Sequence, residues 1–122
     1  MKKLIPAFLT TVMVLSTSAA FAGNDAQAIA QGQKNPVTAA QVAKLQDETR
    51  VTLTGTLVRQ YADDHEEYEF RDQTGSIKVE IDDKLLNPHE FKANTKVKIV
   101  GEVDTHRYKP TDIEVLHVEI LP

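Results

Sequence analysis

Cysteine is absent from all 122 residues, and that absence removes several chemistries at once. There is no thiol nucleophile, no dithiol redox couple and no thiolate metal site. The bacterial lipoprotein route is closed too, because its lipid is carried on a cysteine thiol. Serine is nearly missing beyond residue 22: Ser76 stands alone, without a Gly-x-Ser-x-Gly elbow around it. Excess basic charge is also lacking, with 14 Lys and Arg against 18 Asp and Glu. Nucleic-acid binders neutralise phosphates with clustered Lys and Arg, so no nucleic-acid partner is expected. Nor is there a long hydrophobic run. The stretch Leu4–Leu15 is shorter than the ~20 residues that span a bilayer, and Pro6 interrupts it.

What that stretch does resemble is a secretory signal. Lys2 and Lys3 precede it and Ala20-Phe21-Ala22 ends it, the order of charged, apolar and small-residue regions that a signal peptidase reads. Residues 1–22 are expected to be a signal peptide cleaved after Ala22, with export to the periplasm and no membrane insertion afterwards. Cleavage removes two basic residues and no acidic ones, leaving a net charge of −6. Residues 23–36 are small and polar and read as a flexible leader. Residues 37–122 are then one small domain which, without disulfides, depends on its core and on sheet closure.

Thr38 and Gln41 form a capping box, with Val37 and Val42 as its staple. They predict a short helix from about Ala39 to Gln46. Two near-identical phrases follow, 46 residues apart: Thr49-Arg50-Val51-Thr52-Leu53-Thr54-Gly55 and Thr95-Lys96-Val97-Lys98-Ile99-Val100-Gly101. Their period-two alternation marks strands, and a glycine inside a strand marks a bulge or bend. The predicted strands are Arg50–Gln60, Glu67–Arg71, Ser76–Asp82, Lys96–Asp104 and Asp112–Leu121.

Asp72-Gln73-Thr74-Gly75 reads as a hairpin turn. Pairing Arg71 with Ser76 puts Phe70 opposite Ile77 and Tyr68 opposite Val79 on one face, with Glu69 opposite Lys78 and Glu67 opposite Glu80 on the other. Asp82–Asn87 predicts a turn of helix stopped by Pro88, and Phe91 a core plug beneath that connection. A change of apolar phase predicts a bulge near Val115-Leu116. Five strands in this order, with a short helical connection between the third and fourth, match the five-stranded Greek-key barrel of the OB-fold. An open five-stranded sandwich is the rival.

OB-folds bind ligands on the outer face of strands two and three, between the one–two and four–five loops. The face expected here, Glu67, Glu69, Arg71, Ser76, Lys78 and Glu80, carries no ring for bases to stack on. The candidate ligand-binding residues are Arg71 and Lys78 on that face, Tyr61, Asp63 and His65 in the first loop, and His106, Arg107 and Tyr108 in the second. Together they suggest a rim for a polar or saccharide-like ligand; the competing reading is solvated loops that keep a small protein soluble. No metal site is expected at Asp63-Asp64-His65-Glu66, since successive residues point to opposite sides and EF-hand spacing is absent. His117 reads as a strand-face residue, and His89 has no partner pattern. No catalytic residue and no cofactor emerge.

The run Leu45-x-Asp47-Glu48-x-x-Val51-x-Leu53-x-Gly55, then Phe70-x-Asp72-x-x-Gly75-x-Ile77-x-Val79-x-Ile81-Asp82, then Val97-x-Ile99-x-Gly101-Glu102-Val103-Asp104 resembles the bacterial OB-fold (BOF) family of periplasmic stress-tolerance proteins, YgiW/YdeI type. The resemblance implies a non-enzymatic Gram-negative periplasmic protein that binds a small envelope-derived ligand, with peptidoglycan fragments among the suggestions. The alternative it leaves open is an interaction module for an outer-membrane or envelope protein. The family supplies no catalytic residues to carry over.

Overall fold

The computed structural model describes residues 25–122, so the expected signal segment lies outside the described residues. Five strands, β1 (Arg50–Gln60), β2 (Glu67–Asp72), β3 (Gly75–Glu80), β4 (Thr95–Asp104) and β5 (Asp112–Ile120), follow two helices, α1 (Asp25–Gln33) and α2 (Ala39–Val42). The sheet runs β1-β2-β3-β5-β4 and closes into a barrel. All neighbours are antiparallel except β3 and β5. Closure rules out the open sandwich and gives the OB-fold.

The twin phrases pair with each other. Val51 faces Gly101, Leu53 faces Ile99 and Gly55 faces Val97, so each phrase sets its glycine against the other's first valine. Val51, Leu53, Val97 and Ile99 are fully buried. The glycines are not themselves the bulges. In β1 the extra residue is Val58, between Leu57 opposite Phe70 and Arg59 opposite Glu69. In β5 it is Leu116, as expected, between Val115 opposite Gly101 and His117 opposite Val100. What requires glycine is close approach: a Cβ on Gly55 would strike the Arg71 carbonyl oxygen and lie 2.6 Å from Phe70 Cζ.

The β2–β3 register agrees with the expectation pair by pair. Tyr68, Phe70 and Val79 are buried in the barrel, and Phe91 meets Tyr68 edge-on with ring centroids 5.0 Å apart. The connection from β3 to β4 contains a single helical turn. Leu85 and Leu86 N–H donate to Asp82 O at 2.8 and 3.3 Å, and Asp82 Oδ1 accepts from Lys84 N–H at 2.8 Å.

Helix α2 is shorter than expected and continues as turns through Leu45. Gln41 Oε1 accepts from Thr38 N–H at 2.8 Å, the Gln41 half of a capping box. Two further donors at this N-terminus are satisfied from the β2–β3 turn. Ala39 N–H donates to Asp72 Oδ2 at 2.8 Å, and Ala40 N–H to Thr74 Oγ1 at 2.9 Å. Desolvation pushes the Asp72 carboxyl up, but hydrogen bonds from the Thr74 hydroxyl and the Ala39, Thr74 and Gly75 N–H groups outweigh it and hold the group below its ordinary value. Asp72→Ala is expected to cost about 1–2 kcal/mol, as loss of a helix cap does, measured by urea denaturation. Because the folded value is depressed, the stabilisation is complete above the unfolded value of about 4 and is lost as pH falls through the lower folded one.

The leader expectation needs correction, because residues 25–33 form helix α1. Ala28 and Ile29 bury one face, and Gly32 lets the helix press on the sheet: a Cβ there would lie 2.5 Å from Val100 Cγ1. Thr52, which alternates with the inward Val51 and Leu53 and so faces out of the barrel, donates from Oγ1 to Gly32 O at 2.7 Å and is buried beneath the helix. Asn35 and Val37 then bond the backbone of Thr52 at 3.0 and 2.9 Å. Small residues and backbone hydrogen bonds, rather than a broad apolar face, dock this segment.

Candidate functional site

The outer face of β2 and β3 forms one wall of a groove of about 890 Å³. Helix α2 borders it with Ala39 and Ala40 and its C-cap with Ala43, and the loop before β5 with Lys109, Pro110 and Thr111. Tyr61 supplies the ring that the strand face lacks. Arg59 Cζ lies 4.4 Å and Lys78 Nζ 4.9 Å from its centroid, both within cation–π range. Arg59 reaches this wall because the bulge at Val58 turns two successive residues away from the core.

The charges on the wall are tied together. Arg59 Nε and Arg71 Nη2 both donate to Glu69, each at 3.0 Å, and Arg71 Nε donates to Ser76 Oγ at 3.1 Å. Desolvation raises the Glu69 carboxyl, yet hydrogen bonds from Arg59, Ser76 and Arg71 outweigh it and leave the group below its ordinary value. Lys78 Nζ lies 3.2 Å from Glu67 Oε1, and that contact raises its ammonium above the usual lysine value.

Of the residues singled out in the sequence, Tyr61 and Lys78 line this groove together. Arg71 lines a separate concavity of about 840 Å³ with Thr54, Thr56 and Lys96. His65 turns away to meet Asp83 at 3.2 Å. His106 is drawn toward the barrel by Asp112 at 3.1 Å and Asp104 at 3.5 Å. Tyr108 projects into solvent, 91% exposed. Asp63 and Arg107 line neither concavity. The residues that sequence reasoning missed are Arg59 and the three alanines Ala39, Ala40 and Ala43, whereas Lys109–Thr111 belong to the four–five loop that OB geometry places on the rim. Only the alanine spacing left a signal.

A row of carboxylates crosses the barrel on its outer side. Glu67 faces Glu80, Glu80 faces Glu114, and Glu114 faces Glu102. Lys78 neutralises one end and Arg50, 3.0 Å from Glu102, the other. Among the described residues Glu80 and Glu114 have no ion-pair partner. Burial first, then the surrounding carboxylates, raises both above the ordinary glutamate value. A raised folded value means the native state holds its proton more tightly, so stability falls as pH climbs from about 4.3, the unfolded value, through the folded one. Glu114→Gln is expected to remove part of that fall and to stabilise at neutral pH by a few tenths of a kcal/mol. Thermal melts at pH 4 and pH 7 measure it.

Residues 16–120 match the family model described as bacterial OB fold (BOF) protein. The chain belongs to the BOF family. A relative from Haemophilus influenzae, described as an uncharacterized protein, is 32% identical over 115 residues, covering 91% of this chain and 93% of that one. The calcium-regulated OB-fold protein CarO of Pseudomonas aeruginosa is 47% identical over 75 residues, 62% of each chain. Protein YgiW of Escherichia coli K12 is 44% identical over 69 residues, 56% of this chain and 52% of that one. The solved structure of E. coli YgiW superposes with a TM-score of 0.61 at 31% identity, covering 71% of this chain and 90% of that one. The structure of OBody AM1L10 bound to hen egg-white lysozyme shares the fold alone, with 17% identity and a TM-score of 0.57, covering 70% of this chain and 90% of that one.

Proposed function

We propose that this BOF protein is a non-enzymatic periplasmic stress-tolerance protein whose α2–β3 groove binds a small envelope-derived ligand, a peptidoglycan fragment being the best fit. The observation that carries the reading is the Tyr61 ring, flanked by Arg59 and Lys78 beside a floor of alanines, Ile77 and Pro110. A ring suits the apolar face of a sugar, and the nearby cations suit the carboxylates of a short acidic peptide. The apolar floor suits the methyl groups of such a ligand. The Ser76 hydroxyl on this wall accepts from Arg71 Nε at 3.1 Å. Among the described residues no helix is long and apolar enough to cross a membrane.

Titration with a soluble muropeptide, followed by amide chemical shifts, tests the proposal. Shifts are expected at Ala39–Ala43, Tyr61, Lys78 and Lys109–Thr111. Tyr61→Ala is expected to weaken binding about tenfold, roughly 1.4 kcal/mol. Shifts confined to other surfaces would remove the groove from consideration. The exposed Tyr108 favours a second reading, an anchor for a protein partner. Periplasmic crosslinking that yields a partner band lost in Tyr108→Ala would support that reading instead.

A further inference from the structure

The barrel closes unevenly. β4 and β5 pair from Val97 opposite Ile120 to Asp104 opposite Asp112, whereas β3 and β5 pair only at Val79–Ile113 and Glu80–Glu114. The edge of β3 from Gly75 to Lys78 therefore has no strand beside it on the β5 side.

Ladder geometry says which groups that edge presents. The Arg71 carbonyl oxygen lies against Gly55 in β1, so Arg71 and its pair across the hairpin, Ser76, do not bond each other. In an antiparallel ladder such a residue turns its N–H and C=O to the opposite side, and so does the residue two further on, Lys78. The Lys78 carbonyl lies at the first rung with β5. The Ser76 N–H and C=O and the Lys78 N–H face the open side, and no loop backbone or side chain bonds them among the described residues.

The segment before β5 leaves this edge uncovered. Continued at the same offset, the β3–β5 register would set Pro110 beside Ser76. Proline carries no N–H for a ladder, and the chain bends at residues 107–109. Both banks, Gly75–Lys78 and Lys109–Asp112, line the same groove of about 890 Å³. Four edge residues run about 13 Å at the rise of a strand, the length of a short added strand.

We propose that this edge takes an extended segment of a partner protein as an added strand, bonded main chain to main chain through Ser76 and Lys78. Unpaired edge groups select a peptide backbone, because a second strand offers donors and acceptors at the matching spacing. The neighbouring side chains set its sequence. Ile77 has the inward parity of Phe70 and, with the alanines of the groove, meets one face of the guest strand. Lys78 and the Tyr61 ring meet the other. Lys109, which has no ion-pair partner among the described residues, adds a second cation to the groove. The segment that fits alternates small apolar and acidic residues. The proposal rests on this groove being the binding site and extends its ligands to a protein segment.

Titration of the isotope-labelled protein with a capped Ala-Glu-Ala-Glu-Ala peptide, to millimolar concentration, tests it. The Ser76 and Lys78 amides are expected to shift and, at saturation, to exchange with solvent about tenfold more slowly. Peptides N-methylated at every second residue, in each of the two phases, separate main-chain pairing from side-chain contact. One phase blocks the groups turned to β3 and is expected to weaken binding about tenfold or more, while the other leaves it intact. Unmoved Ser76 and Lys78 amides, or equal affinity of the parent and both methylated peptides, would overturn the proposal. Muropeptide shifts in the groove without peptide pairing would also overturn it and leave the small-ligand reading standing; peptide pairing without muropeptide shifts would do the reverse.

Discussion

Gly101→Ala is expected to destabilise the barrel by about 3 kcal/mol, at the upper end of the usual cost of overpacking. A Cβ at this position would lie 2.5 Å from the Glu114 carbonyl oxygen, 2.6 Å from Ile113 Cγ2 and 3.1 Å from Val115 Cα. Two of these three atoms are backbone, so no rotamer change relieves the clash. They belong to β5 beside its bulge at Leu116. Relief requires β4 and β5 to separate, and that pulls apart the ladder that closes the barrel on β1. A fall in urea midpoint at constant m-value would show this as lost stability rather than altered compactness. A midpoint within experimental error of the parent would mean that the strands yield easily and that the glycine is incidental.

Phe70→Ala is expected to cost about 4 kcal/mol, the middle of the range for emptying a buried phenylalanine site. Phe70 is fully buried and faces Ile77 across the hairpin. Its ring lies over Gly55, where no side chain is present to fill the space it would leave. A double-mutant cycle makes the relation quantitative. With Phe70→Ala in the background, Gly55→Ala should cost less than it does alone, because one of its two clashes is gone. It should still cost something, because the Arg71 carbonyl oxygen remains. Strict additivity would contradict the packing of this ring on the glycine.

The strand content was legible because each strand buries one face, and period-two alternation records that directly. Val51, Leu53 and Leu57, or Tyr68 and Phe70, are apolar because they meet inside one barrel. The hairpin register was legible for the same reason, since a slip of one residue would expose every one of them. Helix α1 was not legible. Its docking depends on Ala28, Gly32 and the Thr52 hydroxyl, and residues that act by being small leave little hydropathy signal.

The candidate groove was half legible. Tyr61 and Lys78 were found from OB geometry, because loops and strand faces have fixed places in that fold. Arg59 was hidden by the bulge at Val58, which breaks the parity on which an inside–outside assignment rests. His106 looked like a rim residue but meets Asp104 and Asp112, which the β4–β5 pairing sets directly opposite each other.

By itself the sequence determined the fold class, the strand register of β2 and β3, and the family. These follow from local patterns, and the two glycine-ended phrases are the strongest of them. Only the tertiary structure decided that those phrases pair with each other, that residues 25–33 pack on the barrel, and that Tyr61 meets Arg59 and Lys78. Each of these joins separate segments of the chain. Their distances are set by barrel closure, a global constraint that no local pattern contains.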